Sequence, residues 1–134
     1  MSLTRTGPLS FEATNARGGR ISLSSGESTD FTPVELLLAA VAGCSGVDVD
    51  ALTTRLAEPE AFEVHVSAEK LRDGDGNHLG PVTVRFAVTF PDGEAGDAAR
   101  ERLPEAARMS RDRLCTVSRT VQLPTEVRFD VAEG

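Results

Sequence analysis

Two cysteines are the residues of this chain best suited to chemistry. Cys44 sits among small apolar residues in AAVAGCSGVDV, and Cys115 in SRDRLCTVS. A pair of thiols can pass through a sulfenic acid to a disulfide and back. Only the thiolate attacks, and a free cysteine with a pKa of about 8.5 is mostly protonated at neutral pH. Something must therefore hold the anion. Cys44 falls about three turns into a helix, so the positive helix end offers it little. A guanidinium could do it, and Arg17, Arg20, Arg111 and Arg113 are the candidates. Asp48 lies four residues past Cys44, on the same helical face, where a carboxylate opposes ionisation. The alternative reading is that both cysteines are small buried residues that behave as large alanines.

Other residues offer less. His65 alternates outward on a strand and His78 lies beside a turn. Two separated histidines and two separated cysteines give no close ligand spacing for zinc, so neither a metal site nor a cofactor is expected. DGDGN lacks the glutamate that a calcium loop needs, because position twelve is Val84; it reads as a turn. Glu69 reads as a solvated strand residue. Ser45 and Gly46 read as residues that permit close helix approach, with a hydroxyl relay through Ser45 a weaker option.

The totals narrow the class. The 134 residues fit one domain spanning 1–134. With six Phe and no Trp or Tyr, a core of Ala, Val and Leu has less area per residue to bury. That favours burial against a second copy of the chain. The net charge of −7, with Lys70 the only lysine, argues against nucleic acid, which demands clustered cations. No stretch reads as the roughly 18 apolar residues that span a bilayer, and the first residues lack a hydrophobic signal core. A cytoplasmic location follows as the expectation, with reduced thiols and no membrane partner.

These residues must be positioned by a small set of elements. LSFEATNA and RISLSSG flank the turn RGG as a hairpin. Thr32, Pro33 and Glu35 form the signature of a capped helix start, and the helix should run from Pro33 to about Leu56. It is apolar on nearly every side through Ala42, which predicts burial all round. AFEVHVSAEKL and LGPVTVRFAVTFP alternate as two half-buried antiparallel strands joined by a tight turn. From Gly96 the period is helical through Cys115, with Pro104 a kink or break. Val117–Val121 reads as a helical turn or an extended exit, and TEVRFDV as a last strand. The order ββ–α–ββ–α–β is an α+β fold with one largely antiparallel sheet.

TPVELLLAAVAGCSGVDV, then VSAEK, then MSRDRLCTV, in that order and spacing, resembles the OsmC / organic hydroperoxide resistance family from about Thr32 to Val121. The resemblance implies an entwined homodimer and a thiol-dependent peroxidase of oxidative-stress defence that reduces organic hydroperoxides. Carried onto this chain, Cys44 would be the peroxidatic thiol and Cys115 the resolving one. Arg17 or Arg20 would supply the hairpin arginine that pairs with the thiolate. A dithiol or lipoylated protein would be the reductant. The family's peroxidases also carry a glutamate ten residues before the first cysteine, where this chain has Val34. Glu35 comes one step later, on the opposite side of the helix from Cys44. That departure keeps a second function open: a redox-responsive or ligand-binding dimer of the same fold with little turnover.

Overall fold

The computed structural model describes residues 1–133, which divide into two compact units, 1–40 and the residues from 41 onward, with the division inside the first helix.

The first unit is a three-stranded antiparallel meander of β1 (Ser2–Gly7), β2 (Ser10–Thr14) and β3 (Arg20–Ser24). β2 and β3 are the expected hairpin, in the register Phe11↔Leu23 and Ala13↔Ile21. Its turn is closed by Asn15, whose Oδ1 accepts the N–H groups of Arg17 and Gly19 at 3.0 and 2.9 Å. β1 was not legible: SLTRTG holds one apolar residue and is mostly exposed. It is a strand because β2 offers it a free edge, with Leu3 opposite Ala13 and Arg5 opposite Phe11.

Helix α1 runs Pro33–Thr53. Its start is the predicted capping box: Glu35 N–H donates to Thr32 Oγ1 at 3.2 Å, and Thr32 N–H donates to Glu35 Oε1 at 2.9 Å. The Thr32 N–H, and after it the Thr32 hydroxyl, hold the Glu35 carboxyl below the usual carboxylate range. The cap is therefore complete at neutral pH and is lost as pH falls through that lowered value. Burial all round is not what the chain does. The buried positions are Val41, Ala42, Ser45, Val49 and Thr53, one stripe at helical spacing, while Val34 and Leu37 are exposed and Val47 is 71% exposed. Within one chain only that stripe has a facing element. By length and composition α1 is also apolar enough to cross a membrane, contrary to the expectation that no stretch is. Core helices of this length meet the same criterion, and Val49 and Thr53 are fully buried.

In the second unit, β4 (Ala61–Ser67) pairs with β7 (Thr83–Thr89) in register Phe62↔Val88, Val64↔Phe86 and Val66↔Val84. The alternation is as read from the sequence: these side chains are half-buried, and their neighbours along each strand are exposed. Phe62 and Phe86 meet edge to face at 6.3 Å. Between them, β5 (Lys70–Asp73) and β6 (Gly76–Leu79) form a separate hairpin closed over DGDG, with Gly76 at φ 127°. The expected single sheet is thus three small antiparallel sheets.

Helix α2 (Glu94–Met109) continues through Pro104 without a break. Ala99 and Ala106, seven residues apart and fully buried on either side of it, anchor the helix. An interior proline lacks the N–H of the helical ladder, at a cost of about 3 kcal/mol relative to alanine. It recovers up to about 1 kcal/mol by stiffening the unfolded chain. Pro104 is exposed, so Pro104→Ala is expected to stabilise the protein by about 2 kcal/mol. Thermal unfolding should show a midpoint roughly 5–10 °C higher.

The helical register then widens. Ser110–Leu114 is a π-helical turn, closed by the Cys115 N–H donating to Ser110 O at 2.9 Å, and α3 (Thr116–Gln122) follows. TEVRFDV is not a strand: residues 123–133 form no strand or helix. Val127, Phe129 and Val131 are 72%, 93% and 89% exposed. The alternation is present, but among the described residues the segment pairs with no strand, and a strand exists only as part of a ladder.

Candidate functional site

The second unit brings Cys44, Asp48 and Cys115 together. Two sulfurs and a carboxylate oxygen all lie within 4.8 Å of one another. Helix period supplies the first half: Cys44 and Asp48, four apart on α1, share a face. The π turn supplies the second. Residues five apart on an α-helix point about 140° away from each other. With an extra residue in the turn, Ser110 and Cys115 fall on the same side. Ser110, fully buried, then donates its hydroxyl to Asp48 Oδ2 at 2.8 Å.

Cys115 is the N-cap of α3, and its Sγ accepts the Ser118 N–H at 3.2 Å. The Ser118 hydroxyl lies 3.5 Å from that of Ser45 on α1. Both thiols are free; Cys115 is fully buried and Cys44 half-buried. The two are electrostatically unequal. Burial pushes the Cys44 thiol up, the Cys115 sulfur and, last, the Asp48 carboxylate add to this, and the Val117 backbone opposes it. Burial also works upward on Cys115. It is outweighed by hydrogen bonds from the Cys44 thiol, from the Ser118 hydroxyl and N–H, and from the Ser45 hydroxyl, so Cys115 ends below the ordinary thiol value. Cys115 is thus the more acidic thiol of the pair and Cys44 the less acidic. The sign is testable by thiolate absorbance on metal-free protein. With only Cys115 present (Cys44→Ser), ionisation is expected below the usual thiol range; with only Cys44 present (Cys115→Ser), above it.

The other singled-out residues make contacts of their own. In the first unit, Arg20 pairs with Glu12 at 3.0 Å, and the Arg17 N–H belongs to the Asn15 turn. Glu35 is occupied in the helix cap. Arg111 pairs with Asp112. His65 and His78 contact Glu63 and Asp73 at the surface. A Cβ on Gly46 would meet Val64 Cγ2 at 3.6 Å, an ordinary contact, so β4 does not demand glycine there. Sequence reasoning missed Ser110 and Ser118. Ser118 was within reach, because a cap accepts from the N–H three residues on; Ser110 was not, because its role requires the π turn.

Residues 26–130 match the family described as OsmC-like protein, and the chain belongs to that family. An uncharacterized protein of Mycobacterium tuberculosis is 33% identical over 96% of this chain and 93% of its own length. An OsmC-like protein of unknown function from Vibrio cholerae superposes with a TM-score of 0.70, at 14% identity over 88% of this chain and 80% of that one. The organic hydroperoxide resistance protein OhrB of Bacillus subtilis does so at 0.56, with 18% identity over 89% and 88%. At these identities the two structures share the α+β fold.

Proposed function

We propose that this OsmC-like protein is a cytoplasmic, homodimeric thiol peroxidase of oxidative-stress defence that reduces organic hydroperoxides. The observation that carries the reading is the approach of the Cys44 and Cys115 sulfurs to within 4.8 Å from segments far apart in sequence. Cys44 is the thiol open to a substrate, since Cys115 is fully buried. The proximity of the two sulfurs lets the Cys44 proton pass to the Cys115 thiolate. The Cys44 thiolate attacks the terminal peroxide oxygen, the O–O bond breaks, and the alkoxide leaves as the alcohol with the proton from Cys115. Cys115, ionised again, attacks the Cys44 sulfenic acid; an S–S bond forms and hydroxide leaves as water with a solvent proton. In sum, one hydroperoxide and two thiols give one alcohol, one water and one disulfide. A dithiol or lipoylated protein returns the pair to thiols by exchange.

The apolar side chains exposed on α1 and on residues 127–131 support a second copy as partner, which light scattering after size exclusion would measure. The hydroperoxide resistance for which the Bacillus protein is named adds support. Arg17→Ala and Arg20→Ala test the activating arginine: loss of rate in one variant alone would name it.

The second reading, a redox-responsive dimer with little turnover, is favoured by Val34 standing where the family's peroxidases carry glutamate and by Glu35 being held in the cap. One experiment separates the two. Reduced protein receives an organic hydroperoxide, first one equivalent and then an excess with a dithiol. An intramolecular disulfide by mass spectrometry and many turnovers support the peroxidase. A disulfide without turnover supports the sensor, and unmodified thiols would remove both.

A further inference from the structure

We propose that Cys44, Asp48 and Cys115 form a binding site for one thiophilic divalent cation, Zn2+ foremost, with its fourth position open to water. Their three donor atoms lie within 4.8 Å of one another. A tetrahedral zinc with Zn–S bonds of about 2.3 Å sets its sulfurs about 3.8 Å apart, so the cluster closes on an ion by shifts of about 1 Å or less. Two thiolates and one carboxylate form a soft donor set that selects zinc over magnesium or calcium.

The supports around the donors are those a bound ion would use. Ser110 holds Asp48 by Oδ2 and leaves Oδ1 free to coordinate. The Ser118 N–H is aimed at the Cys115 sulfur. Such outer hydrogen bonds orient ligands and are worth about 10- to 100-fold in affinity. Among the described residues Asp48 makes no ion pair, although it stands beside two sulfurs. A divalent cation supplies the missing positive charge. Cys115 forms the buried floor, while Cys44 and Asp48 are half-buried at the rim, which leaves a face for a water or another ligand. The spacing that argued against zinc in the sequence is overcome by one helical turn on α1 and by the π turn that returns Cys115 to it. A disulfide would remove two of the three donors, so metal and disulfide exclude one another at this site.

The test is made on reduced full-length protein under anaerobic conditions, without peroxide, so its result is independent of any peroxidase turnover. Titration with Co2+ is expected to give thiolate-to-cobalt charge-transfer absorption with tetrahedral d–d bands, saturating at one ion per chain. Zn2+ should displace the cobalt with a dissociation constant at or below about 1 µM. Asp48→Asn, which keeps both thiols and can still accept from Ser110, is expected to weaken binding by about 100-fold or more. Ser110→Ala should weaken it about 10-fold. Absence of the charge-transfer band would overturn the site, as would an Asp48→Asn protein that binds as tightly as wild type. Failure of the peroxidase reading would appear elsewhere, as peroxide left unconsumed by metal-free protein held in chelator.

Discussion

Cys44→Ser is expected to lower hydroperoxide turnover by at least about a thousandfold, the scale on which removal of a nucleophile acts. A serine hydroxyl is too weak an acid and nucleophile to replace the thiolate, and Cys115, fully buried, is closed to an alkyl hydroperoxide. Cys115→Ser should behave differently. Cys44 can still be oxidised once, but it has lost the group that takes its proton and the sulfur that resolves its sulfenic acid. Single-turnover oxidation should slow, the disulfide should not form, and Cys44 should progress to sulfinic acid as peroxide is raised. Stopped-flow peroxide loss and intact mass would check both variants. Equal turnover in wild type and Cys44→Ser would remove the peroxidase reading. For the wild type, the reactive form carries its one remaining proton on Cys115, so it exists only once the pair has lost a proton. The single-turnover rate should rise with pH as that first proton leaves, below the ordinary thiol range, level off, and rise again only above that range, where the Cys44 thiol itself ionises.

The largest effect on stability is expected at Gly96, in the first turn of α2. A Cβ there would lie 1.7 Å from the carbonyl oxygen of Pro91 and 2.9 Å from its carbon, both backbone atoms that cannot swing away. Gly96→Ala must therefore displace either the start of α2 or the strand exit after β7. The same carbonyl accepts from Arg100 Nη2 at 3.0 Å, and Phe90 O accepts from that nitrogen at 3.3 Å; the displacement loosens both bonds. Overpacking of about 1–3 kcal/mol plus the weakened charged hydrogen bonds gives a loss of about 3 kcal/mol or more. The urea midpoint should fall by about 1 M or more. A midpoint within error of wild type would mean that the close approach of Gly96 to Pro91 is not a feature of the folded protein. Gly96→Ala and Pro104→Ala act on one helix in opposite directions, which makes the pair a sharp comparison.

Local chemistry made much of this protein legible from its residues. The capping box at Thr32 and Glu35, the alternation of β4 and β7, the DGDG turn and the hairpin around Arg17–Gly19 are all encoded within a few residues of where they act. The sharing of a face by Cys44 and Asp48 follows from helix period alone, so half of the candidate site was readable. Tertiary structure decided the rest. β1 carries almost no pattern of its own and is a strand only because β2 has an edge to offer. TEVRFDV carries a clear pattern and is not a strand, because nothing among the described residues pairs with it. Pro104 argues for a break that the packing of Ala99 and Ala106 overrides. The proximity of Cys115 to Cys44 depends on a π turn that widens the register by one residue, a small backbone choice that no periodicity announces. Short-range preferences are additive along a chain and can be read from it. Pairing, register and which thiol ionises first depend on what distant segments place alongside, and only the folded molecule supplies that.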